Sequence, residues 1–241
     1  MKAAPWLIDV SGDLEAGSIV VLDPTEARHL TSALRRRPGD QVVLADGMGT
    51  IAEARLVAAG KGRVEAQVLR VHHEPEPDVR GVTVALALID SRAMDWAVQK
   101  AVEVGVERFV PMETERAQMR GRDFGVRVEH WRRISIQALK QCRRPWAMTV
   151  TEVMPLAALV GSEYEREGGV VADLEGSALG ELPRAAGNLL VVGPEGGFAD
   201  AEGELFDRHG WPRLRLGPHI LRAETAAVVG GAMMVLRSQQ R

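Results

Sequence analysis

Between His72 and Asp78 the pattern of apolar residues changes character, and that change restricts the fold more than any other feature of the sequence. Upstream, apolar residues come in short runs over 6–10, 18–22, 40–45, 50–58 and 63–71. Turn signals separate them, Asp46-Gly47 among them. Several short strands at this spacing predict a small β-barrel. One helix interrupts them. Asp23 is a suitable N-cap, Pro24 a suitable first residue, and Glu26 is placed to complete a capping box. From Pro24 the helix is expected to run on through 27–35 and to stop before Pro38-Gly39. His72-His-Glu-Pro-Glu-Pro-Asp is polar and proline-bearing, so it reads as a linker, the plain alternative being an ordinary long loop.

Downstream, 82–89 is a continuous apolar run, as expected of a strand buried on both faces. Asp90 or Ser91 can cap a helix whose inner face is Met94, Ala97, Val98, Ala101 and Val102, ending at Gly105. A strand over 108–110 follows, then a helix over 129–142 and strands over 169–172 and 189–192. Asp200 can cap a further helix ending at Gly210, and a strand over 213–216 precedes a last helix over 224–239. Strand and helix alternate, which predicts a parallel α/β sheet. The expected organisation is a barrel over 1–71, a linker over 72–81 and an α/β domain over 82–241.

The formal net charge of −3 over 241 residues excludes a general polycation, so any nucleic-acid affinity has to be local. The single cysteine, Cys142, excludes an internal disulfide and a cysteine-based zinc cluster. No HExxH or HxxxH spacing occurs, and no metal site is expected. The longest apolar run, 226–236, falls short of the ~20 residues of a membrane span, and a soluble cytoplasmic protein is expected.

Two loops invite a ligand. Gly193-Pro-Glu-Gly-Gly-Phe follows an apolar strand, where open α/β sheets bind ligands. It has neither the lysine nor the Ser/Thr of a phosphate-binding loop, and it is not a GxGxxG fingerprint. A plain turn joining strand to helix explains it equally well on spacing alone. A second Gly-Pro loop, Leu216-Gly-Pro-His-Ile-Leu-Arg-Ala-Glu-Thr-Ala, follows the next short strand. Two such loops at adjacent strand ends point to a shared pocket. Between Arg116 and Trp146 lie nine basic residues, Arg116, Arg120, Arg122, Arg127, Arg132, Arg133, Lys140, Arg143 and Arg144, against only Asp123 and Glu129. Trp131 and Trp146 are interleaved with them, and the barrel helix adds Arg28, His29, Arg35, Arg36 and Arg37. Charge runs are usually solvated faces, but two clusters with stacking aromatics suit RNA.

The two late motifs together resemble those of the bacterial 16S rRNA uracil-N3 methyltransferases, S-adenosylmethionine-dependent enzymes of the SPOUT class. Glu26-Ala-Arg-His-Leu, Met94-Asp, Gln99-Lys, Glu103-Val-Gly-Val, Glu115-Arg116 and Gln141-Cys-Arg-Arg fall where similar motifs fall in that family. The resemblance implies an N-terminal PUA-like barrel, a C-terminal SPOUT-type α/β domain with a trefoil knot, and a homodimer. The implied partner is 16S rRNA or the small ribosomal subunit. It implies a cofactor pocket shaped by Ala172, Asp173, Gly193, Glu195, Gly196, Gly197, Leu216, Gly217, Ile220, Leu221, Thr225 and Ala226. Arg222 and Glu224 are the expected catalytic pair, and Arg28, His29, Arg35, Arg36, Arg116, Arg132, Arg143 and Arg144 the expected RNA contacts. The chain departs from the family where Pro5 precedes Trp6, where Arg143 takes a position often held by glycine, and where Ala199 replaces a serine N-cap, a role Asp200 can assume. The competing classes are a non-catalytic RNA-binding or ribosome-assembly factor and a metabolic α/β enzyme acting on a small anion.

Overall fold

The structure, a computed structural model, describes residues 5–8, 10–11, 14–60, 63–76, 81–119, 121, 123–165 and 168–240. Arg120 and Arg122 lie outside the described residues, as do 77–80 of the expected linker. Two compact units separate: residues 1–77 together with 139–147, and residues 78–138 together with 148–241.

The first unit contains β1 (Trp6–Ile8), β2 (Val10–Ser11), β3 (Ile19–Leu22), α1 (Pro24–Arg28), β4 (Gln41–Ala45), β5 (Thr50–Gly60) and β6 (Arg63–His73). Their order in the sheet is β1-β4-β5-β6-β3-β2. β1 and β2 are one residue apart in sequence yet form opposite edges, so the sheet has to curl until its edges meet. Period-2 alternation along β5 and β6 sends Ala52, Ala54, Leu56, Val64, Ala66 and Val68 into a core with Leu7, Leu22, Leu30 and Leu44. His72 and His73, expected to open the linker, instead extend β6 by pairing with Ile51 and Thr50.

Asp23 caps α1 by accepting from the Thr25 backbone N–H at 2.7 Å. The capping box does not form, because the Glu26 carboxylate is buried and ion-paired with the Lys140 ammonium. After Arg28 the helix continues as a wider turn over His29–Ala33. The segment 139–147 joins this unit through the glycine-bearing turn at 46–49: Ala147 N–H donates to Gly47 O and Gly49 N–H to Pro145 O. A Cβ at Gly49 would meet the Trp146 ring at 2.4 Å, so only glycine lets the indole lie there.

The second unit contains β7 (Thr83–Ala87), α2 (Ser91–Glu103), β8 (Arg108–Glu113), α3 (Gly125–Cys142, shared with the first unit at its end), β9 (Thr149–Val150), β10 (Met154–Pro155) and α4 (Leu156–Leu159). It continues with β11 (Gly169–Ser177), β12 (Leu189–Val192), α5 (Asp200–Arg208), β13 (Arg213–Leu214) and α6 (Ala223–Ser238). The sheet is parallel, in the order β10-β8-β7-β12-β11-β13 with β9 also on β8. β7 and β12 are buried along their whole length, as expected of strands that are apolar but for Thr83.

Asp90 caps α2, accepting from the N–H groups of Arg92 and Ala93, and the five residues expected on its inner face are buried. α6 can press against the sheet because it carries Gly230-Gly231. A Cβ at Gly230 would meet Leu190 at 2.5 Å, and one at Gly231 would meet Val106 at 3.0 Å. Asp200 does not take over the cap of α5. Ala199 is the N-cap and has no acceptor, so only the reciprocal bond exists, Ala199 N–H to Glu202 Oε2 at 2.8 Å. β9, β10 and α4, each of at most four residues, are too short to carry a readable period.

Candidate functional site

Three neighbouring strands deliver their C-terminal ends to one cavity of about 210 Å³. β11 leaves its parallel pairing with β13 after Ala172, so Asp173 and Leu174 turn into the cavity wall. β12 ends at Val192 and supplies Gly193, Pro194, Glu195, Gly197 and Phe198. The stretch between β13 and α6 supplies Leu216, Gly217, His219, Ile220 and Leu221, and the first turn of α6 adds Ala223 and Ala226. Strand ends in an open parallel sheet carry their backbone groups outward with no partner strand ahead of them, which is why ligands settle there.

Each glycine of the first loop has a separate reason. Gly197 has φ +68°, a conformation that strains other residues, and no atom stands within 4 Å of where its Cβ would be. A Cβ at Gly193 would press on the Phe198 ring at 3.0 Å, so its absence lets the ring fold under the loop. Gly196 faces away from the cavity toward Arg116.

The segment after β8 clasps this loop. Arg116 Nη1 donates to the carbonyls of Gly196 (2.9 Å) and Phe198 (3.1 Å). Gln118 Nε2 donates to Glu195 Oε2 at 2.6 Å. The Glu202 carboxylate accepts from the Glu115 and Ala199 N–H groups, tying the same segment to the start of α5. Glu195 is therefore both a cavity residue and the loop's handle. On the other wall Asp173 accepts from the Glu175 N–H at 2.9 Å and from Arg213 Nη1 at 2.9 Å. Asp207 first, and Asp173 after it, hold the Arg213 guanidinium charged above its ordinary range. Asp173 is thus fixed in direction before any ligand arrives.

Of the residues expected at a cofactor pocket, Ala172, Asp173, Gly193, Glu195, Gly197, Leu216, Gly217, Ile220, Leu221 and Ala226 line this cavity, while Gly196 and Thr225 do not. Sequence reasoning passed over Leu174, Val192, Pro194, Phe198, His219 and Ala223. Most of these stand inside the two quoted loops and were legible there. His219 has no second histidine at ligand spacing, a criterion that tests for metals and not for a cavity wall. Arg222 is the N-cap of α6 and is exposed, and Glu224 sits half-buried in the first turn. Neither lines the cavity, although their chain neighbours Leu221 and Ala223 do.

The basic residues divide by what they already bind. Arg116 holds the loop, and Arg132 donates to Glu129, Glu152 and the Val150 carbonyl. Glu129 first, with Glu152, holds the Arg132 guanidinium charged above its usual range against a smaller effect of burial. Arg28, His29, Arg35 and Arg143 are exposed in the first unit, and Arg36 and Arg144 are half-buried there. Arg143 has φ +59°, and Arg35 has φ +53°. Among the described residues no group of three or more His, Cys, Asp or Glu is placed to hold a metal, and no helix is long and apolar enough to cross a membrane.

The lining suits S-adenosylmethionine. Apolar side chains offer a slot for a flat heterocycle, two oriented carboxylates line the same space, and Gly197 and Gly217 leave their stretch of the wall as bare backbone. Residues 75–235 match the model of an RNA methyltransferase domain, and 22–69 that of an RNA methyltransferase PUA domain. The chain is 34% identical to ribosomal RNA small subunit methyltransferase E of Mycobacterium bovis, over 99% of this chain and 94% of that one. It resembles the solved structure of ribosomal RNA small subunit methyltransferase E from Neisseria gonorrhoeae bound to S-adenosyl methionine (TM-score 0.86, 29% identity, 98% of each chain). A Legionella pneumophila protein solved in complex with bound cofactor SAM is similar to the same degree (TM-score 0.87, 26% identity, 98% of each chain).

Proposed function

The chain belongs to the family of bacterial ribosomal RNA small subunit methyltransferase E, and from that premise we propose that it transfers a methyl group from S-adenosylmethionine to N3 of one uridine in 16S rRNA. The observation that carries the reading is the cavity at three adjacent strand ends, with its loop held from outside by Arg116 and Gln118. A non-catalytic RNA-binding role leaves that cavity and its clasp unexplained.

S-adenosylmethionine, when bound, supplies an electrophilic methyl group on a sulfonium sulfur. The residues to hold it are the backbone of Gly193, Gly197 and Gly217, the apolar wall of Leu216, Ile220 and Leu221, and the carboxylates of Glu195 and Asp173. Neutral uridine bears a proton at N3 and is a poor nucleophile there, so the protein has to favour the base anion. The assigned stabiliser is Arg222, whose guanidinium has no hydrogen-bond partner among the described residues and lowers the energy of negative charge on the base oxygens. Glu224, in the first turn of α6, is assigned to accept the N3 proton. The N3 electron pair then forms the N–CH3 bond as the C–S bond breaks.

The same reading includes the knotted path of the C-terminal unit, a cytoplasmic location and a homodimer. α6 supports the last: Val228, Val229, Ala232 and Met233 are half-exposed and Leu236 is 57% exposed on a helix with few polar residues. The test of function is mass spectrometry of 16S rRNA from a deletion strain with and without the gene restored. A uridine that gains 3-methylation only with the gene supports the reading. Unmodified 16S rRNA in both strains overturns it.

A further inference from the structure

Away from the cofactor cavity, α2 and α3 border a second cavity of about 500 Å³. Its walls are two helical rows: Asp95, Trp96 and Gln99 on α2, and His130, Arg133, Ile134 and Gln137 on α3. The second row has the spacing of one helix face, so all four side chains present to the same groove. The Asp95 carboxylate is already committed, accepting from Trp131 Nε1 at 3.1 Å and from His130 Nε2 at 3.0 Å. Those two bonds engage the one carboxylate that lines the groove among the described residues and fix the two helices to each other.

What remains is a set of groups without partners. Trp96 is 41% exposed and makes no ring contact among the described residues, an unusual position for the largest apolar side chain. The carboxamides of Gln99 and Gln137 have no hydrogen-bond partner among the described residues. Arg133 uses only Nε, donating to the Glu129 carbonyl at 3.3 Å, so its two terminal nitrogens are available. An indole face, two amides that both donate and accept, and a free cation are the chemistry of single-stranded RNA recognition: stacking, base-edge hydrogen bonds and a phosphate contact.

We propose that the α2–α3 groove is an auxiliary nucleotide site that stacks an unpaired base of the RNA substrate on Trp96, reads its edge with Gln99 and Gln137, and holds its phosphate with Arg133. The proposal rests on RNA being the substrate, as above, and adds a site separate from the methyl-transfer cavity. A second copy of the chain is the other occupant such a groove could take. The free charge and the unpaired amides favour a polar anion over a copy of this face.

The test uses the full chain with Trp96→Ala, Trp96→Phe and Arg133→Ala. Short single-stranded oligoribonucleotides of about ten nucleotides are titrated by fluorescence anisotropy, and KM and kcat are measured on 16S rRNA. Base stacking on an aromatic is worth enough that Trp96→Ala should weaken RNA binding and raise the RNA KM by roughly five- to 150-fold. The kcat and the S-adenosylmethionine affinity stay unchanged. Trp96→Phe should restore most of the loss, since a phenyl ring still stacks, and Arg133→Ala should flatten the salt dependence. Unchanged RNA affinity in Trp96→Ala overturns the proposal. So does a shift of the sedimenting species in that variant, which would identify the groove as a contact between copies. If wild-type protein fails to methylate 16S rRNA, the activity reading falls by itself, and oligoribonucleotide binding alone decides the groove.

Discussion

Removing the Arg116 guanidinium tests how the cofactor loop is held. In Arg116→Ala the carbonyls of Gly196 and Phe198 lose a shared charged donor at 2.9 and 3.1 Å. Hydrogen bonds from charged groups contribute about 1.5–3 kcal/mol where protected, and less when exposed. Arg116 is exposed, so about 1–2 kcal/mol in total is the reasonable loss. The Gln118–Glu195 bond survives and keeps the loop near its place. A loss of that size lowers the fraction of loops in the binding-competent form. The apparent Kd for S-adenosylmethionine rises as that fraction falls, by up to about 5- to 30-fold at 1.4 kcal/mol per factor of ten. The thermal midpoint should move little, because the side chain lies outside the core. Isothermal calorimetry reads the affinity directly. A double-mutant cycle with Gln118→Ala should show coupling, since both side chains restrain one loop. An unchanged S-adenosylmethionine affinity together with a raised RNA KM would refute the clasp and return Arg116 to the RNA-contacting role expected from its charge.

Arg222→Ala should lower kcat at least tenfold while leaving cofactor affinity intact, and Glu224→Gln should remove the acidic limb of the pH–rate profile; wild-type turnover or an unchanged profile rejects the respective assignment. Arg143→Gly should stabilise the first unit by up to about 1 kcal/mol in urea unfolding, because a left-handed non-glycine residue costs about 1–2 kcal/mol and the added freedom of glycine offsets part of the gain. Lys140→Ala should destabilise by about 3–5 kcal/mol by leaving the buried Glu26 carboxylate unpaired, and the double replacement Glu26→Leu with Lys140→Met should recover most of that loss. The Thr25 backbone N–H holds the Asp23 carboxyl below its ordinary value of 3.8. The stabilisation it gives is therefore complete above that value and is lost as pH falls through the lower folded-state value. Asp23→Ala should weaken the fold at pH 7 and converge on wild type in acid, as read by thermal unfolding across pH.

Much of the architecture was readable because two periods dominate local sequence. Alternation along 50–60 and 63–73 and the unbroken apolar runs at 84–87 and 189–192 each leave one way to bury their side chains. The inner face of α2 was named residue for residue, and most of the cavity wall was contained in two glycine-proline loops. What escaped were relations between distant residues. Glu26 stood where a capping box needs it, but a lysine 114 positions away made the stronger claim on its carboxylate. Arg116 looked like a polyanion contact until folding placed two loop carbonyls within its reach.

The sequence by itself determined the principal strands and helices of both units, where the cavity-forming loops fall, and that the charge available for RNA is local. Those properties arise from neighbours in the chain, through pleat and turn periods, caps and glycine conformations. Tertiary structure alone decided which polar side chains are engaged inside the protein and which remain available. It committed Asp173, Glu195, Arg116 and Arg132 to partners, and left Trp96, Arg133 and Arg222 open. A charged group's role depends on what lies within about 3 Å of it, and for these residues that is set by folding and not by the neighbouring letters of the sequence.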